Sequence, residues 1–371
     1  MGCLLLWAAA WALPPALGAP RPSPSASAPY FVKEWVWPAA SRGRGPFLLR
    51  SDFRINATAS CTPREIVCVV TPRNAPARLS GTHWQHAQQV LLPCWSLFRL
   101  YPNLTPSVLL DRVPLTTAHP WTRFVLDLIG AERIDALPAT ACAVVGKLKR
   151  KTGTGSAGGE VLWLASPADA SELQRRAGLV LVAGPERRRP VVKVLNRKSH
   201  RRWDENGTFG AAAAGAAADL DEAFFEALEP RAQAAWIHGA DVLISPHGAQ
   251  LSNLLFARRC TVVLELFPRY FYVPGFYLPL ALGVGGVAFA GYGADDPAAD
   301  APTNRNQTGR YWFNRKFKYR KTDANPAVVA AALPALLDAR RTCLAGASAA
   351  HWQRGGPHSP YGGSAHVQGL L

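Results

Sequence analysis

The chain has 371 residues, of which 49% are hydrophobic and 18% are charged, and its formal net charge at pH 7 is +16. These proportions are typical of a globular protein and exclude a wholly disordered chain. A chain of this length is sufficient for two domains of ordinary size.

The N-terminal residues predict entry into the secretory pathway. An apolar run at 2–13 is followed by prolines and by small residues near Ala19, a pattern typical of a signal peptide. The run is shorter than the about 20 apolar residues that span a membrane. Because no Lys or Arg precedes the run, an uncleaved membrane anchor is the alternative. A Pro- and Ser-rich stem continues to residue 29.

Sequons and cysteines indicate the same pathway. Asn-X-Ser/Thr sequons occur at Asn56, Asn103, Asn206 and Asn306. Beyond Cys3 in the leader, the remaining six cysteines are Cys61, Cys68, Cys94, Cys142, Cys260 and Cys343. An even number favours disulfides, whose connectivity the sequence leaves open, and Cys61 with Cys68 is the most plausible local pair.

The positive charge is concentrated in basic clusters at 187–189, 197–202 and 314–321. In a secreted protein such clusters suit nucleotide diphosphates, acidic glycans or membrane surfaces. Aromatic residues within 311–321 could stack on single-stranded nucleic acid, but no RNA-binding or zinc-finger signature accompanies them. We therefore expect no nucleic-acid partner, and a solvated basic edge is the alternative for the last cluster.

Apolar periodicity predicts alternating strands and helices. In the first half the predicted elements are strands at 65–70 and 107–110, a bent helix pair at 83–100 and a helix at 121–129. In the second half they are strands at 190–195, 242–244, 261–266 and 286–289, and helices at 230–237 and 326–341. This alternation predicts an α/β fold with two layers. We divide the chain into a leader and stem (1–29), an N-terminal domain (30–185), a C-terminal domain (186–345) and a tail (346–371).

The segment 240–267 is the most informative part of the sequence. A short apolar strand at 242–244 is broken by Ser-Pro-His-Gly at 245–248, and an apolar helical pattern follows. A strand, a glycine turn and a helix start in this order place backbone N–H groups at the positive end of a helix dipole, which suits a phosphate. The next strand carries Glu265 near its carboxyl end, where open α/β sheets bind ligands. The segment predicts half of a nucleotide-binding domain.

Side chains near this turn are candidates for the same ligand. Arg197, Arg201 and Arg202 follow the 190–195 strand, and the planar guanidinium is well suited to phosphate. His247 could donate to a diphosphate or to a sugar hydroxyl, and Glu265 could accept from ribose hydroxyls. Asn253 is either a helix-surface residue or a positioning donor. The structural alternative for the three arginines is a solvated basic loop. For His247 it is a core histidine, and for Glu265 it is a buried structural carboxylate.

The segment 240–267 also resembles the catalytic domain of glycosyltransferase family 61, in which "ADVLIGPHGAGLTNLLF" is followed shortly by "VVIEIFP". The resemblance covers residues 185–295 well and the rest of the chain weakly. It implies a GT-B-like architecture, with two Rossmann-like domains facing across a cleft and the C-terminal one binding the donor. The family's Arg and "Ser-Arg-Arg-Ile" correspond to Arg197 and to Ser199–Trp203, with His200 inserted and Trp203 in place of Ile. The equivalence of Ser199 is therefore open.

The resemblance also implies the reaction. Family members are inverting, metal-independent transferases that use a UDP-sugar as co-substrate and no other cofactor. By this resemblance we expect transfer of GlcNAc, xylose or arabinose to a glycan or glycoprotein acceptor in the lumen of the Golgi or endoplasmic reticulum. Arg197, Arg201, Arg202 and the amides around Gly248 and Ala249 would stabilise the leaving diphosphate.

The general base is less well defined. Residues 82–93 resemble a family segment in which a His and an acidic residue face the cleft, but Gln88 or Gln89 stands at the acidic position. His83 and His86 are the remaining candidates, and we expect His86 to take the acceptor proton. The alternative is a catalytically impaired, basic, secreted protein that binds glycans or nucleotides.

Asp219–Leu220–Asp221 matches the Asp-x-Asp with which GT-A transferases hold a metal-bound diphosphate. Acidic residues at the start of a helix also explain this sequence, because they complement the helix dipole. We prefer the helix explanation and expect no metal site.

Overall fold

The computed structural model describes residues 30–34, 53–57, 63–70, 91–92, 94–95, 97–111, 120–137, 143–148, 167–179, 189–198, 202–204, 208–268, 271–272, 277–293, 312–313, 321–322 and 324–346. These residues form two sheets that are parallel except for one edge strand in each, together with a short two-stranded ribbon. The predicted α/β class is confirmed, and both parallel sheets are compatible with Rossmann-like folds.

The strands are β1 (Tyr30–Glu34), β2 (Phe53–Ala57), β3 (Glu65–Val70), β4 (Thr105–Leu110), β5 (Glu132–Ile134), β6 (Ala143–Leu148), β7 (Val191–Asn196), β8 (Asp219–Phe224), β9 (Val242–Pro246), β10 (Val262–Phe267), β11 (Phe271–Tyr272), β12 (Val287–Gly293) and β13 (Trp312–Phe313). The helices are α1 (Pro120–Ile129), α2 (Pro167–Arg176), α3 (Thr208–Gly215), α4 (Pro230–His238), α5 (Leu278–Gly283) and α6 (Pro326–Leu344). Short 3₁₀ helices span Phe225–Ala227 and Ala249–Phe256.

The N-terminal sheet has the order β2-β6-β3-β4-β5, with β2 antiparallel to β6. Helical turns within 91–100 and helix α1 pack on it. Cys68, which is fully buried in the central strand β3, forms a disulfide with Cys94 on these helical turns, with the two Cα atoms 5.7 Å apart. The predicted Cys61–Cys68 pair is therefore wrong, because the Cys68 side chain is covered by the helical segment that follows the strand.

The C-terminal sheet has the order β1-β12-β10-β9-β7-β8. If its parallel strands are numbered along the chain from β7, their order across the sheet is 2-1-3-4-5. The chain turns to one side of β7 for β8 and to the other side for β9, so the topological switch point lies between β7 and β9. Strands β7, β9 and β10 are buried along their whole lengths, as expected for a parallel sheet that is covered on both faces.

One domain boundary predicted from the sequence needs correction. Strand β1, which the sequence division assigned to the N-terminal domain, pairs antiparallel with β12 at the edge of the C-terminal sheet. Tyr30 lies opposite Gly293, and Glu34 lies opposite Phe289. The chain therefore contributes to the C-terminal sheet before it enters the N-terminal one.

The two sheets share one hydrophobic core through the helices between them. The ring of Phe124 on α1 lies 5.8 Å from that of Phe256 in the 249–256 helix. Gln174 on α2 donates from Nε2 to the carbonyls of Leu255, at 2.8 Å, and Ala257, at 2.9 Å. Because Gln174 is buried, these hydrogen bonds fix the position of α2 against the C-terminal half.

An ion-pair cluster fastens helix α6 to the amino end of the C-terminal sheet. Asp241, 3% exposed, accepts from Nη2 of both Arg258 and Arg340, the latter at 2.6 Å. Its second carboxylate oxygen accepts from the backbone N–H of Val191 at 2.8 Å. A disulfide joins Cys260 to Cys343, which are close in sequence to Arg258 and Arg340 respectively. These contacts lie at the amino ends of the parallel strands, whereas the loops at the switch point between β7 and β9 follow the carboxyl ends.

The Cys68–Cys94 and Cys260–Cys343 disulfides indicate an oxidising, non-cytosolic compartment. Among the residues that the structure describes, no helix combines the length and apolar character needed to cross a membrane.

Candidate functional site

The carboxyl ends of β7 and β9 meet at the switch point of the C-terminal sheet. Arg197 follows β7 directly, and His247 and Gly248 follow β9. Open α/β sheets bind ligands in the crevice at this point, because adjacent loops turn to opposite sides of the sheet there. Arg197, His247 and Gly248, three of the residues predicted as phosphate ligands, thus lie where the topology favours a ligand.

Gly248 and Arg197 are in close contact. A Cβ atom at position 248 would overlap Nη1 of Arg197 and lie 3.2 Å from its Cζ. The backbone of Gly248 is extended, with φ of 174°, a conformation that any residue can adopt. The glycine therefore serves space and not backbone freedom, since a side chain at position 248 would have to displace the guanidinium.

The guanidinium of Arg197 is enclosed but not neutralised by hydrogen bonds. Within the part of the chain that the structure describes, its buried Nε and Nη1 have no hydrogen-bond partner. Burial lowers the pKa of Arg197, while the Glu226 carboxylate and the Tyr277 phenol act in the opposite direction. An arginine remains protonated in proteins, so a positive charge with unused donors lies against Gly248 at the switch point. Such a group calls for an anion.

Asn196, the last residue of β7, closes the loop that carries Arg197. Its Oδ1 accepts from the backbone N–H of Arg197 at 2.9 Å and of Trp203 at 3.0 Å. Its Nδ2 donates to the Trp203 carbonyl at 2.8 Å and to Glu222 at 2.9 Å. Asn196 is 2% exposed, so the loop is anchored at its base. The sequence interpretation missed this residue, although an asparagine at the end of a buried strand is a usable signal.

Glu226 holds the next residue of the loop. Its Oε1 accepts from the backbone N–H of Lys198 at 3.0 Å. The same carboxylate lies close enough to Arg197 to stabilise its charge. Glu226 lies in the short 3₁₀ helix that directly follows β8, so the neighbouring strand β8 also helps to position Arg197.

His247 and Glu265 form a buried pair. Nδ1 of His247 lies 2.5 Å from Oε1 of Glu265, and the two side chains are 6% and 0% exposed. Sequence reasoning placed Glu265 on a ribose hydroxyl. The structure instead turns this carboxylate to the imidazole: Glu265 is in register with Ser245 across the parallel pair β9–β10, and His247 lies two residues further along the chain. The proposed contact of Glu265 with ribose therefore has no support from its position.

The imidazole is fixed by its neighbours. Its ring stacks on Phe267 at a centroid distance of 5.3 Å and contacts the rings of Phe271, at 5.2 Å, and Tyr277, at 5.3 Å. Its backbone N–H donates to the carbonyl of Leu266 at 2.8 Å. The ring orientation is therefore set by packing as well as by Glu265.

Ser245 and Gln250 bridge the two strands at the bottom of the crevice. The Ser245 hydroxyl donates to the carbonyl of Leu195 on β7 at 2.9 Å. Nε2 of Gln250 donates to Ser245 Oγ at 3.0 Å and to the same carbonyl at 3.2 Å. The strand ends are thus held together where the fold would otherwise let them separate. Neither residue was singled out from the sequence.

The residues after Gly248 are mostly structural. Ala249, partly buried, begins the 3₁₀ helix 249–256, where the sequence predicted an α-helix. Asn253 is fully buried, and its Nδ2 donates to Gln233 and to the Gln250 carbonyl, both at 3.1 Å. Of the two alternatives for Asn253, this burial excludes the position on the helix surface. The residue connects the 3₁₀ helix to α4, which leaves its assignment as a donor ligand without structural support.

Arg202, another predicted ligand, has a different partner in the structure. Arg202 forms an ion pair with Asp204 at 2.9 Å, and its side chain is 54% exposed. Arg201, His83, His86, Gln88 and Gln89 lie outside the described residues. Of the predicted set, the structure unites Arg197, Gly248, His247 and Glu265.

The Asp-x-Asp segment has a different environment from the one predicted. Asp219 and Asp221 lie on strand β8, not at the start of a helix. Asp219 pairs with Arg189 at 3.4 Å, and Asp221 pairs with Lys193 at 3.1 Å. Period-two alternation directs both carboxylates to the same face, at the amino end of the sheet and away from the crevice.

Comparison with models of known protein families found no match, and comparison with curated proteins found none either.

Proposed function

We propose that the protein is a family 61-like inverting glycosyltransferase of the secretory lumen, which transfers a sugar from a UDP-sugar to a glycan or glycoprotein acceptor. In this proposal the two sheets form a GT-B-like pair of domains, and the C-terminal one binds the donor. The observation that carries the proposal is the buried guanidinium of Arg197, with Nε and Nη1 unbonded among the described residues, against Gly248 at the switch point.

The chemistry follows from the charge. When the bond between sugar and diphosphate breaks, negative charge builds on the diphosphate oxygens. A guanidinium that is already in place stabilises that charge more in the transition state than in the ground state, and this difference lowers the barrier. The backbone amides around Gly248 would add further donors. Arg201 and Arg202, which the resemblance suggests as diphosphate ligands, would bind the diphosphate at the edge of the site.

The compartment is supported by separate observations. Two disulfides among the described residues require an oxidising environment, and the sequons and the apolar N-terminal run are consistent with it. We assign the protein to the Golgi or endoplasmic reticulum, with membrane anchoring through the N-terminal run as an option.

The alternative is a secreted protein that binds glycans or nucleotides without turnover. Gln88 and Gln89, which stand where an acid is expected from the resemblance, favour it. The two functions differ in catalysis and not in UDP binding, so binding and turnover have to be measured on the same preparation.

The test combines calorimetric titration with UDP and a donor-hydrolysis assay across a panel of UDP-sugars, with and without EDTA. Arg197→Met should weaken UDP binding by about 10- to 150-fold, the scale of a charged hydrogen bond of about 1.5–3 kcal/mol. Arg175→Ala, on the exposed face of α2, is the matched control and should bind UDP like the wild type.

Each outcome has a defined meaning. Turnover of one UDP-sugar supports the transferase, whereas UDP binding without any turnover favours the alternative. Complete loss of activity with EDTA would contradict metal independence. A wild-type protein that binds no UDP would overturn the proposal.

A further inference from the structure

The contact with Glu265 defines the proton position on His247. With Glu265 ionised, its Oε1 accepts, and Nδ1 at 2.5 Å carries the proton. In the neutral ring the lone pair is then on Nε2. This is the tautomer in which an imidazole can accept a proton at Nε2, and the carboxylate at Nδ1 stabilises the imidazolium that results.

The pair is rigid. Glu265 lies on β10, which is hydrogen-bonded to parallel strands on both sides, and its side chain is completely buried. Three aromatic rings and the Leu266 carbonyl fix the imidazole and its backbone. A group held in this way needs no rearrangement before it accepts a proton.

The pair is also next to the anion site. His247 precedes Gly248, which contacts Arg197, and Tyr277 touches the imidazole ring and acts electrostatically on Arg197. In a nucleotide-sugar the reacting carbon is bonded directly to a diphosphate oxygen. A base for the acceptor must therefore lie within a few ångströms of the diphosphate-binding groups.

We propose that His247, positioned by Glu265, accepts the proton of the acceptor hydroxyl at Nε2, in place of the His86 predicted from the sequence. The acceptor oxygen forms a bond to the anomeric carbon, and the bond from this carbon to the diphosphate oxygen breaks. The electron pair leaves with the diphosphate, and the hydroxyl proton moves to Nε2. This inference rests on the proposed function.

The charges that develop in this step balance one another. Positive charge appears on the imidazole while negative charge appears on the diphosphate, and Glu265 and Arg197 provide a fixed counter-charge for each. Among the described residues, the titratable or charged groups around His247 include Glu265 from β10, Tyr277 preceding α5, and Arg197 across Gly248. Glu265 contacts the ring nitrogen Nδ1.

The experiment measures kcat, KM, UDP affinity and the pH dependence of kcat for four variants of the full chain. We expect His247→Gln to lower kcat by about 10²- to 10⁴-fold with UDP affinity little changed. Glu265→Gln, of nearly identical shape, should lower kcat and move the acidic limb of the pH profile to lower pH, because the imidazolium loses its counter-charge. Glu265→Asp should restore part of the wild-type profile, and His86→Ala should remain active.

A purely structural role of Glu265 would lower stability and activity but leave the acidic limb where it is, and that result would overturn the inference. If His86→Ala loses nearly all of its kcat and Glu265→Gln leaves the acidic limb unchanged, His86 is the general base and this inference is wrong. If the wild type neither binds UDP nor turns over any donor, the proposed function fails and this inference fails with it. If the wild type is active and His247→Gln is equally active, only this inference fails.

Discussion

Gly248 and Arg197 depend on each other: the guanidinium of Arg197 occupies the space in which any side chain at position 248 would lie. The contact joins the loops after β7 and β9, which belong to opposite sides of the switch point. A change at either position therefore affects the proposed anion site directly.

Replacing Gly248 with alanine should displace Arg197. The added methyl group would overlap Nη1, and the guanidinium, at the end of a flexible side chain, is the group that would shift. We expect UDP affinity to fall by about 10-fold or more, as when one charged hydrogen bond of about 1.5–3 kcal/mol is lost. Titration calorimetry measures the loss. Gly215→Ala is the control, because a Cβ there meets nothing within 4 Å. Equal affinities of the two variants would refute the steric argument.

Replacing Arg197 with methionine should stabilise the ligand-free protein while it weakens UDP binding. The buried guanidinium has Nε and Nη1 without hydrogen bonds among the described residues, and an unsatisfied buried polar group costs about 1–3 kcal/mol. Methionine fills a similar volume without that cost. Differential scanning calorimetry without ligand should show a Tm higher by about 2–4 °C. A lower Tm would mean that Arg197 has a structural partner.

Glu172 should titrate well below the usual range of a glutamate. Hydrogen bonds from Arg175 and Arg176 lower the pKa of its carboxyl group from 4.5 to about 2. A depressed carboxyl pKa contributes stability that is complete above the unfolded value of 4.5 and is lost as the pH falls towards 2. The destabilisation caused by Glu172→Gln should therefore be present at neutral pH and shrink on acidification through this window.

Thermal unfolding of Glu172→Gln and wild type at several pH values checks this expectation. Glu132→Gln, on the exposed strand β5, serves as the control and should show little change. A difference in Tm for Glu172→Gln that does not vary with pH would show that the arginine contacts do not act through the charge of the carboxylate.

The buried carboxylate of Asp241 should matter far more for stability than an exposed one. Asp241→Asn removes the charge of a carboxylate that is 3% exposed and pairs with Arg258 and Arg340, and breaking a buried ion pair in this way costs about 3–5 kcal/mol. Asp338→Asn removes an exposed pair with Arg341 and should cost about 0–1 kcal/mol. Urea denaturation of both variants gives the comparison, and similar costs would contradict it.

The sequence predicted the C-terminal strands because they are buried on both faces. The apolar run at 242–244 can be read from hydrophobicity alone, and the glycine that follows it indicates the turn. The same reasoning placed Arg197 correctly, since the end of a parallel strand fixes its side of the sheet. Strand β8 was missed because its acidic residues form a solvent-exposed edge with no apolar pattern.

Side-chain partners at the site were harder to predict. The Glu265–His247 contact depends on the register between β9 and β10, and Asn196 depends on how the loop after β7 folds back to Trp203. The first contact joins residues on two strands and the second depends on the conformation of a loop, and hydrophobic periodicity encodes neither. The pairing of Cys68 with Cys94 likewise depends on which face of β3 the helical turns cover.

Strand β1 has a consequence for how the protein folds. It is the first described strand of the chain, yet it pairs with β12, more than half of the chain away. Contacts between such distant segments form late and slow folding. During synthesis, Tyr30–Glu34 must wait until Val287–Gly293 has emerged, and until then β1 lacks its partner strand and can pair with another chain. Efficient production of this protein should therefore depend on chaperones that shield this strand.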